Sequence, residues 1–292
     1  MVLGNLLGAD LRGPGEVSAQ LLGKDRLIAG RGLHRLLLAP EPPEQTTGRG
    51  LFRWCRAGQH RHGVRLHVLD NQRVDSPMPP VLAVPGMGEY ADEYLWLLDA
   101  LGDRRVVVID VRGRGRSDVP ESGYTWEHHI SDLRAAVETL GLDRPIVVAF
   151  SRGSSYGLGY ALTHPDDVRG LVVGDYFARH VGLPPEIADQ QLESKVRGTV
   201  IAERMSEHAV RQVVAESREV PLWDRLVELQ CPVLVIRGGR KSALVGEDLA
   251  TQWREALPSV QMEIIADAGH DLWSRDVDAY LAVLLPFLNS VA

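Results

Sequence analysis

The chain has 292 residues, 45% of them hydrophobic, and carries a formal net charge of −7 at pH 7. This size suffices for one main α/β core, and the scattered arginines offer no basic field to a nucleic acid. The two cysteines, Cys55 and Cys231, lie far apart in the sequence and predict neither a disulfide framework nor a metal site, which fits a reducing cytoplasm.

Residues 1–50 contain many glycines and prolines, but neither the basic cluster of a signal peptide nor an apolar run long enough to span a membrane. We therefore expect a cytoplasmic protein without membrane contact, and we interpret residues 1–50 as an N-terminal extension of the main domain. This extension could pack on the core, cover one of its faces or form a homodimer, and its sequence does not choose among these roles. A mobile tail is the remaining alternative.

From residue 51 onward, short β-rich runs alternate with amphipathic stretches. Most of the runs are almost continuously apolar, as is typical of strands in a parallel sheet that is covered on both faces. VRLHVLD alternates between apolar and polar residues instead, which favours an exposed edge strand. In chain order the predicted strands are VRLHVLD, PVLAVPG, RRVVVIDVRGRG, PIVVAFS, VRGLVVGDY, PVLVIRGG and QMEIIADAGH.

Helical spacing of apolar residues marks several stretches between these strands. SDLRAAVETLGL ends at Gly141, and EDLATQWREALP ends before Pro258. The alternation of strands and helices predicts an α/β fold with a doubly wound, mostly parallel sheet.

The strand PIVVAFS ends at Ser151, and the small residues that follow predict the start of a helix. A nucleophile on such a strand-to-helix turn projects above the edge of the sheet, and its neighbours must be small because the two backbones approach closely. Ala149 and Gly153 satisfy this requirement in an A-x-S-x-G pattern. Ser151 is therefore a candidate nucleophile, although such a pentapeptide alone is a weak signal. The alternative is an ordinary residue at the end of a strand.

Another strand, PVLAVP, runs into a turn formed by Gly86, Met87 and Gly88. Acyl transfer needs two preorganised N–H donors for the tetrahedral oxyanion, and we assign them to the backbone amides of Met87 and Arg152. A simple connecting loop is the alternative. The acidic residues that follow are interpreted as a solvated helix start: Glu89, Asp92 and Glu93.

His270 follows the apolar run EIIA near the C-terminus, in the segment ADAGHDLW. A histidine just past a strand tip reaches the same sheet edge as Ser151, so we select His270 from the ten histidines as the candidate general base. A lone histidine is more often structural or solvated, and that remains the alternative.

These segments together resemble the α/β-hydrolase family, from about Leu51 to the end of the chain. The family's Asp-x-Arg-Gly-x-Gly-x-Ser loop is intact over residues 110–117, whereas its usual His-Gly pair at the oxyanion turn is replaced by a Pro-Gly pair that begins at Pro85. The resemblance implies that His270 removes the proton of Ser151, that Ser151 attacks a carbonyl, and that water later releases the acyl group. The arginines of the 110–117 loop are interpreted as structural.

The chain departs from the family at the triad acid. Most members carry this acid shortly after the strand that corresponds to PVLVIRGG, but Ser242 stands where the aspartate belongs. Some members carry it after an earlier strand, and there VRGLVVGDY ends with Asp175, which we take as the third member of the triad. Glu247 and Asp248 are weaker candidates because they are expected in the first turn of a helix. A Ser-His dyad without an acid is the remaining alternative.

The resemblance also divides the chain, with a core over residues 51–179 and 226–292 and a short helical cap inserted over residues 180–225. We expect this cap to form a modest lid over a partly open pocket. Some of the aromatic residues belong to the core, and others are candidates for substrate binding: Tyr90, Phe150, Tyr176, Trp223 and Trp273.

The predicted function is that of a serine hydrolase that needs no cofactor or metal. Its predicted substrate is an ester, lactone, thioester or amide of a small, largely apolar molecule, and an ester is favoured among these. The first alternative is a non-hydrolytic lyase, cyclase, epimerase or acyltransferase on the same scaffold, because the usual acid is absent and Pro85 is unusual. A protein that binds a ligand without turnover is the second. Members that process haloalkanes or epoxides are disfavoured because they use an aspartate at the position of Ser151. The Arg152 side chain is a lesser candidate for binding a substrate carboxylate or phosphate.

Overall fold

The computed structural model describes residues 51–57 and 63–292. The N-terminal extension predicted over residues 1–50, together with the homodimer that it could form, lies outside the described residues. Within the described part of the chain, no helix has the length and the apolar character needed to cross a membrane.

A single sheet forms the centre of the described chain. Its strands are β1 (Leu51–Ala57), β2 (Val64–Asp70), β3 (Val81–Val84), β4 (Val106–Ile109), β5 (Ile146–Phe150), β6 (Gly170–Gly174), β7 (Val233–Gly238) and β8 (Gln261–Ile265). They lie in the order β1-β2-β4-β3-β5-β6-β7-β8. β2 runs antiparallel to the other seven strands, which are parallel to one another. This topology confirms the predicted doubly wound, mostly parallel sheet.

β2 lies inside the sheet between β1 and β4, so the prediction of an exposed edge strand for VRLHVLD is wrong. The alternation has a different cause, since two of the three polar side chains of β2, those of His67 and Asp70, are buried and paired within the protein, and only Arg65 is exposed. His67 Nδ1 lies 2.7 Å from a carboxylate oxygen of Asp110, and Arg105 donates to Asp70 at 2.9 Å. Buried polar groups that find partners are compatible with an inner strand.

Helices cover both faces of the sheet. They are α1 (Leu95–Ala100), α2 (Trp126–Leu140), α3 (Arg152–Thr163), α4 (Ile187–Glu193), α5 (Glu207–Glu216), α6 (Glu247–Ala256) and α7 (Val277–Ser290). Successive side chains of β4 point to opposite faces, as in any strand. Val107 and Ile109 belong to the apolar cluster that contains α2 and α3. Val106 and Val108 belong to the cluster that contains α1 and α7.

The segment between β6 and β7 contains α4, α5 and two short antiparallel strand pairs. Ile187 of α4 and Val210 of α5 are buried in the same apolar cluster as α2 and α3, so this segment packs on the core rather than standing apart from it. The strand pairs are Arg179–His180 with Val220–Pro221, and Lys195–Val196 with Thr199–Val200.

Candidate active site

Ser151 occupies the turn between β5 and α3, with φ 51° and ψ −132°. A positive φ is unfavourable for a residue with a side chain, and it persists only where the surrounding structure holds it. Here the amide of Ser151 donates to the carbonyl of Gly174 at 2.9 Å, and its carbonyl accepts from the amide of Ser154 at 2.8 Å. The turn therefore holds Ser151 at the carboxyl end of the parallel strands.

Small residues around this turn let the helix approach the strands. A Cβ on Gly153 would collide with the carbonyl oxygens of Val84 and Pro85. A Cβ on Gly157 would lie 3.1 Å from the Cβ of Ala149, which is a tight contact. The small residues of the A-x-S-x-G pattern are therefore required by the packing of α3 against the ends of β3 and β5.

His270 lies directly against Ser151. Its Nε2 is 2.9 Å from Ser151 Oγ, and its ring stacks on Phe150 with centroids 5.1 Å apart and an interplanar angle of 28°. The loop that carries His270 reaches the tip of β7 because Gly238 has no side chain. A Cβ there would collide with the carbonyl oxygens of the two residues that precede His270.

Asp175 follows β6 and is fully buried. Its Oδ2 lies 2.8 Å from His270 Nδ1 and accepts the amide of Leu244 at 2.8 Å, while its Oδ1 accepts the amide of Val245 at 3.1 Å. Like Ser151, Asp175 has a positive φ, of 43°. With Nδ1 of His270 donating to Asp175, the unprotonated Nε2 faces the hydroxyl of Ser151.

The loop after β7 does not bring a carboxylate to the histidine. Ser242, Glu247 and Asp248 are exposed. Glu247 pairs with Arg237 at the side of β7. The loop contributes backbone amides to Asp175 instead of an acid of its own. The geometry thus favours Asp175 over the weaker candidates, and its catalytic role stays a prediction.

The turn after β3 lies beside Ser151. A Cβ on Gly86 would be only 3.0 Å from the Cβ of Ser151, so glycine lets the turn come this close. The amides of Met87 and Arg152 donate no hydrogen bond to any residue that the structure describes. Two unused amides beside a nucleophile are suited to an oxyanion, and their assignment to that role stays a prediction.

Two of the predicted aromatic residues lie beside the histidine. Phe150 stacks on His270, and Trp273 packs edge-on against Phe150 with ring centroids 4.6 Å apart. Tyr176 follows Asp175 and is buried. These side chains surround the candidate triad, and their contact with a substrate stays a prediction.

The other two predicted aromatic residues lie against different partners. Tyr90 lies under the guanidinium of Arg204, which is 5.5 Å from the ring centroid. Trp223 packs edge-on against Trp253 of α6 at 5.3 Å. Among the described residues, neither ring forms a hydrogen bond or a ring contact with His270 or Ser151, and a role in substrate binding stays a prediction for both.

Glu89 is buried, so its interpretation as part of a solvated helix start is wrong. Its carboxylate accepts hydrogen bonds from the amide of Gly86 at 2.7 Å, from the hydroxyl of Tyr94 at 2.7 Å and from Arg197 Nη2 at 2.6 Å. Burial raises the pKa of Glu89, and the charge of Arg197 opposes that rise. Glu89 therefore ties the turn at Gly86 to the segment between β6 and β7.

Arg197 lies in the turn between two of the short strands, and sequence reasoning missed it. Its Nε is 3.2 Å from a carboxylate oxygen of Asp271, and its guanidinium lies 5.0 Å from the ring centroid of Trp273. Burial lowers the pKa of Arg197, but the charges of Glu89 and Asp271 more than reverse this effect. We call Glu89, Arg197 and Asp271 the clasp. No local pattern marks it, because its members lie far apart in the sequence.

The sequence model of the family described as alpha/beta hydrolase fold matches residues 79–197. The matched range includes the turn at Gly86, the 110–117 loop, Ser151 and Asp175. Together with the topology of the sheet, this match shows that the chain has the α/β-hydrolase fold, and its relatives include members of the α/β-hydrolase superfamily.

Its relatives in this superfamily are enzymes with different activities. It is 25% identical over 256 residues to the N-formylmaleamate deformylase of Pseudomonas putida, across 78% of this chain and 94% of that protein. It is 25% identical over 280 residues to the cis-3-alkyl-4-alkyloxetan-2-one decarboxylase of Shewanella oneidensis, across 78% of this chain and 86% of that protein. The solved structure of an esterase from Exiguobacterium antarcticum has the same fold, with a TM-score of 0.67 and 19% identity across 81% of this chain and 98% of that chain.

Proposed function

We propose that this protein is a serine hydrolase that cleaves an ester, lactone, thioester or amide through an acyl-enzyme on Ser151. The contact between Ser151 Oγ and His270 Nε2 at 2.9 Å, with Asp175 at 2.8 Å from Nδ1, carries this proposal. A serine hydroxyl is a weak nucleophile until an adjacent base takes its proton, and a third group must hold that base in the right tautomer. Relatives named as a deformylase and an esterase support the same class of reaction.

In the first step, Ser151 Oγ attacks the substrate carbonyl while His270 Nε2 takes the hydroxyl proton. The amides of Met87 and Arg152 stabilise the oxyanion that forms. The intermediate then collapses, the bond to the leaving group breaks, and His270 gives its proton to that group. In the second step, water attacks the acyl carbon and gives a proton to His270, the bond to Ser151 Oγ breaks, and that oxygen takes the proton back. No cofactor or metal takes part.

Residues 180–225 form the cap in this proposal, and the clasp holds the cap on the core. Glu89 contacts the oxyanion turn, and Asp271 directly follows the general base. Arg197 therefore joins the cap to both catalytic loops. A cap held in this way limits the access of bulk water and supplies part of the pocket wall.

The partner in this proposal is a small-molecule substrate, and neither a nucleic acid nor a membrane has a role. Cys55 and Cys231 are free thiols, which supports a cytoplasmic location because disulfides are rare in reducing compartments. Burial raises the pKa of each thiol to about 11, so neither competes with Ser151 as a nucleophile.

A non-hydrolytic reaction at the same residues is the second candidate. The relative from Shewanella oneidensis is named as a decarboxylase, and Pro85 replaces the histidine that the family usually carries at the oxyanion turn. In such an enzyme Ser151 and His270 would hold or move a proton on the substrate without forming an acyl-enzyme.

A fluorophosphonate probe separates the two candidates, because it bonds covalently to an activated serine. We expect labelling of the wild-type protein and none of Ser151→Ala. A panel of p-nitrophenyl esters with graded acyl chains should likewise be hydrolysed by the wild type and not by the variant. Absence of both labelling and turnover would overturn the hydrolase proposal. Ligand binding that Ser151→Ala leaves intact would then favour a binding protein.

A further inference from the structure

Two arginine side chains near the nucleophile are buried without a carboxylate partner. Arg152 directly follows Ser151, and Arg114 lies in the loop after β4. The two arginines are only 1% and 2% exposed. Among the residues that the structure describes, neither guanidinium forms an ion pair, and each instead contacts neutral groups.

The guanidinium of Arg152 uses three neutral acceptors. It donates to Tyr156 Oη at 3.2 Å, to the carbonyl of Val181 at 3.1 Å and to His180 Nε2 at 2.9 Å. His180 Nδ1 lies 2.9 Å from Ser155 Oγ, which in turn donates to the carbonyl of Arg152, so Nδ1 carries the histidine proton. Burial, and then the charge of Arg152, lower the pKa of His180 far below its ordinary value. His180 is therefore neutral and adds no countercharge.

The guanidinium of Arg114 is less well satisfied. Its Nη1 lies 3.1 Å from the carbonyl of Arg112 and 3.2 Å from His129 Nε2. His129 is also neutral, because its Nδ1 donates to the carbonyl of Thr125 at 2.8 Å and burial lowers its pKa well below the ordinary value. The Nε and Nη2 atoms of Arg114 are buried and have no hydrogen-bond partner among the described residues.

Arg112, in the same loop, has a complete ion pair. Its guanidinium donates to both carboxylate oxygens of Asp132, with Nε 2.8 Å from Oδ2. Asp132 is thereby engaged, and its charge reaches Arg114 only from beyond ion-pair distance, so neither Arg114 nor Arg152 has an ion-pair partner among the described residues. Withdrawing an unpaired charge from water is costly, and arginine does not shed its proton in a protein.

Hydroxyl donors without acceptors accompany these charges. Tyr156 Oη accepts from Arg152, and its own hydrogen has no acceptor among the described residues. Tyr176 Oη is buried and has no hydrogen-bond partner within the described part of the chain, and burial raises the pKa of Tyr176 to about 12, so it remains a donor at neutral pH. The region therefore has a surplus of positive charge and of hydrogen-bond donors. A carboxylate supplies both the missing charge and several acceptor lone pairs.

We propose that Arg114 and Arg152, with Tyr156 between them, bind a carboxylate that the substrate carries in addition to its scissile bond. Because Arg152 follows Ser151 directly, a short ligand can place its carbonyl at Ser151 and its carboxylate at the guanidinium groups. The substrate class is then a half-ester or half-amide of a small dicarboxylic acid, or a carboxylate on the leaving group, rather than the largely apolar molecule expected from the sequence. The assignment of this anion to a substrate rests on the proposed function.

The first test measures binding without turnover, in the Ser151→Ala background. The probes are monomethyl succinate, which carries one carboxylate, and dimethyl succinate, which carries none. A second pair, acetoxyacetate and methyl acetoxyacetate, places the carboxylate on the side of the leaving group. By titration calorimetry at constant ionic strength we expect at least tenfold tighter binding of the anionic member of one pair. Equal binding of both members in both pairs would overturn the inference.

The second test removes the unpartnered guanidinium. Arg114→Met in the Ser151→Ala background should lose at least tenfold of the preference for the anionic probe. It should also raise Tm in the absence of ligand, by about 2–4 °C or more, because an unpaired buried charge disappears. A merely structural arginine would give a lower Tm and an unchanged preference, and that result overturns the inference. Arg134→Gln, which changes an exposed arginine of α2, is the control and should alter neither quantity.

Turnover distinguishes the failure of this inference from that of the proposed function. If the protein hydrolyses p-nitrophenyl esters through Ser151 but neither binds nor prefers the anionic probes, the hydrolase proposal stands and the carboxylate site fails. If Ser151 shows no covalent reactivity and the anionic probe still binds through Arg114, the carboxylate site stands and hydrolysis fails. A salt titration is a further check on the carboxylate site. Added NaCl should weaken the binding of the anionic probe and leave the binding of the neutral probe unchanged.

Discussion

Two charged clusters, one partly buried and one fully buried, adjoin the loops around Ser151, and they differ in how their charges are paired. In the clasp, Arg197 lies 2.6 Å from Glu89 and 3.2 Å from Asp271, so the chain supplies both signs of charge. Among the described residues, Arg114 and Arg152 donate to neutral acceptors and form no ion pair. A paired cluster is complete without a ligand and joins two segments of the protein. An unpaired cluster is complete only when another molecule brings the missing charge.

Both clusters contain a residue that is connected to Ser151 through neighbouring residues. Glu89 holds the amide of Gly86, whose Cα lies against Ser151, and Arg152 is the next residue in the chain. In our proposals, the difference in pairing therefore separates a cluster that positions the candidate oxyanion turn from one that selects the substrate. Variants at the centre, in the clasp and around the unpaired arginines test this distinction.

The largest effect is expected for variants of Ser151 and His270. Ser151→Ala and His270→Ala should each lower kcat for ester hydrolysis by about a thousandfold or more, because each removes one member of the proton-transfer pair. Steady-state kinetics with p-nitrophenyl esters measures this loss. Ser122→Ala and His128→Ala change exposed residues and should keep the wild-type rate. A comparable rate in either centre variant would remove that residue from the mechanism.

Asp175→Asn should come next, with a loss in kcat of roughly 10²- to 10⁴-fold. An amide at this position can donate to Nδ1, which favours the tautomer whose Nε2 is protonated and unable to accept from Ser151. The same kinetic assay measures the change. Asp248→Asn, at an exposed site, serves as the control. Full activity of Asp175→Asn would mean that another carboxylate, or none, supports His270.

Breaking the clasp should mainly reduce stability. Arg197→Ala leaves the buried carboxylate of Glu89 without its cation, and we expect the free energy of unfolding to fall by about 3–5 kcal/mol. Urea denaturation followed by circular dichroism measures this change. Arg211→Ala is the matched control in the same segment, because its ion pair with Asp189 is exposed and should contribute little. Similar small losses in both variants would show that the clasp acts no differently from a surface ion pair.

The smallest effect concerns the neutral histidine beside Arg152. The folded-state pKa of His180 lies far below the ordinary value of 6.5, first because of burial and then because of the arginine charge. The unfolded chain therefore binds a proton below pH 6.5 that the folded protein excludes. Stability present above that pH is lost as the pH falls, by about 2 kcal/mol between pH 7 and pH 5 for this residue.

His180→Gln should remove that part of the pH dependence while keeping an acceptor for Arg152. Urea denaturation at pH 7 and at pH 5 gives the difference for each protein. His128→Gln, at an exposed position, should retain the wild-type difference. If His180→Gln retained it too, His180 would be protonated in the folded protein and would add a third positive charge to the unpaired cluster.

The strands, the helices and the nucleophile turn could be predicted because their signals are local. Ala149, Ser151 and Gly153 lie within one turn, and the steric demand on small residues acts between adjacent backbones. The prediction of an edge position for β2 was wrong for the opposite reason, because the contacts of β2 are not local. Its polar residues find partners on other strands and loops, such as Asp110 for His67, and alternation along one strand does not reveal whether the polar side meets water or protein.

The triad acid could be predicted from the sequence only in part. Resemblance to the family pointed to Asp175 once Ser242 occupied the usual place, but the residues alone left Glu247, Asp248 and a dyad open. The contact that favours Asp175 joins residues 95 positions apart, and the amides of Leu244 and Val245 that hold it come from a third segment. Its catalytic role still awaits the kinetic test.

By itself, the sequence determined the α/β class, the order of the strands along the chain and the places of Ser151 and His270 at strand tips. Periodicity, turn chemistry and small residues act over a few neighbouring positions, so a linear pattern records them. Only the tertiary structure decided that Glu89 meets Arg197 across 108 positions and that, within the part of the chain that the structure describes, Arg114 and Arg152 form no ion pair with a carboxylate. Charge pairing depends on distance in space and on burial, and neither quantity is written in the spacing of residues along a chain.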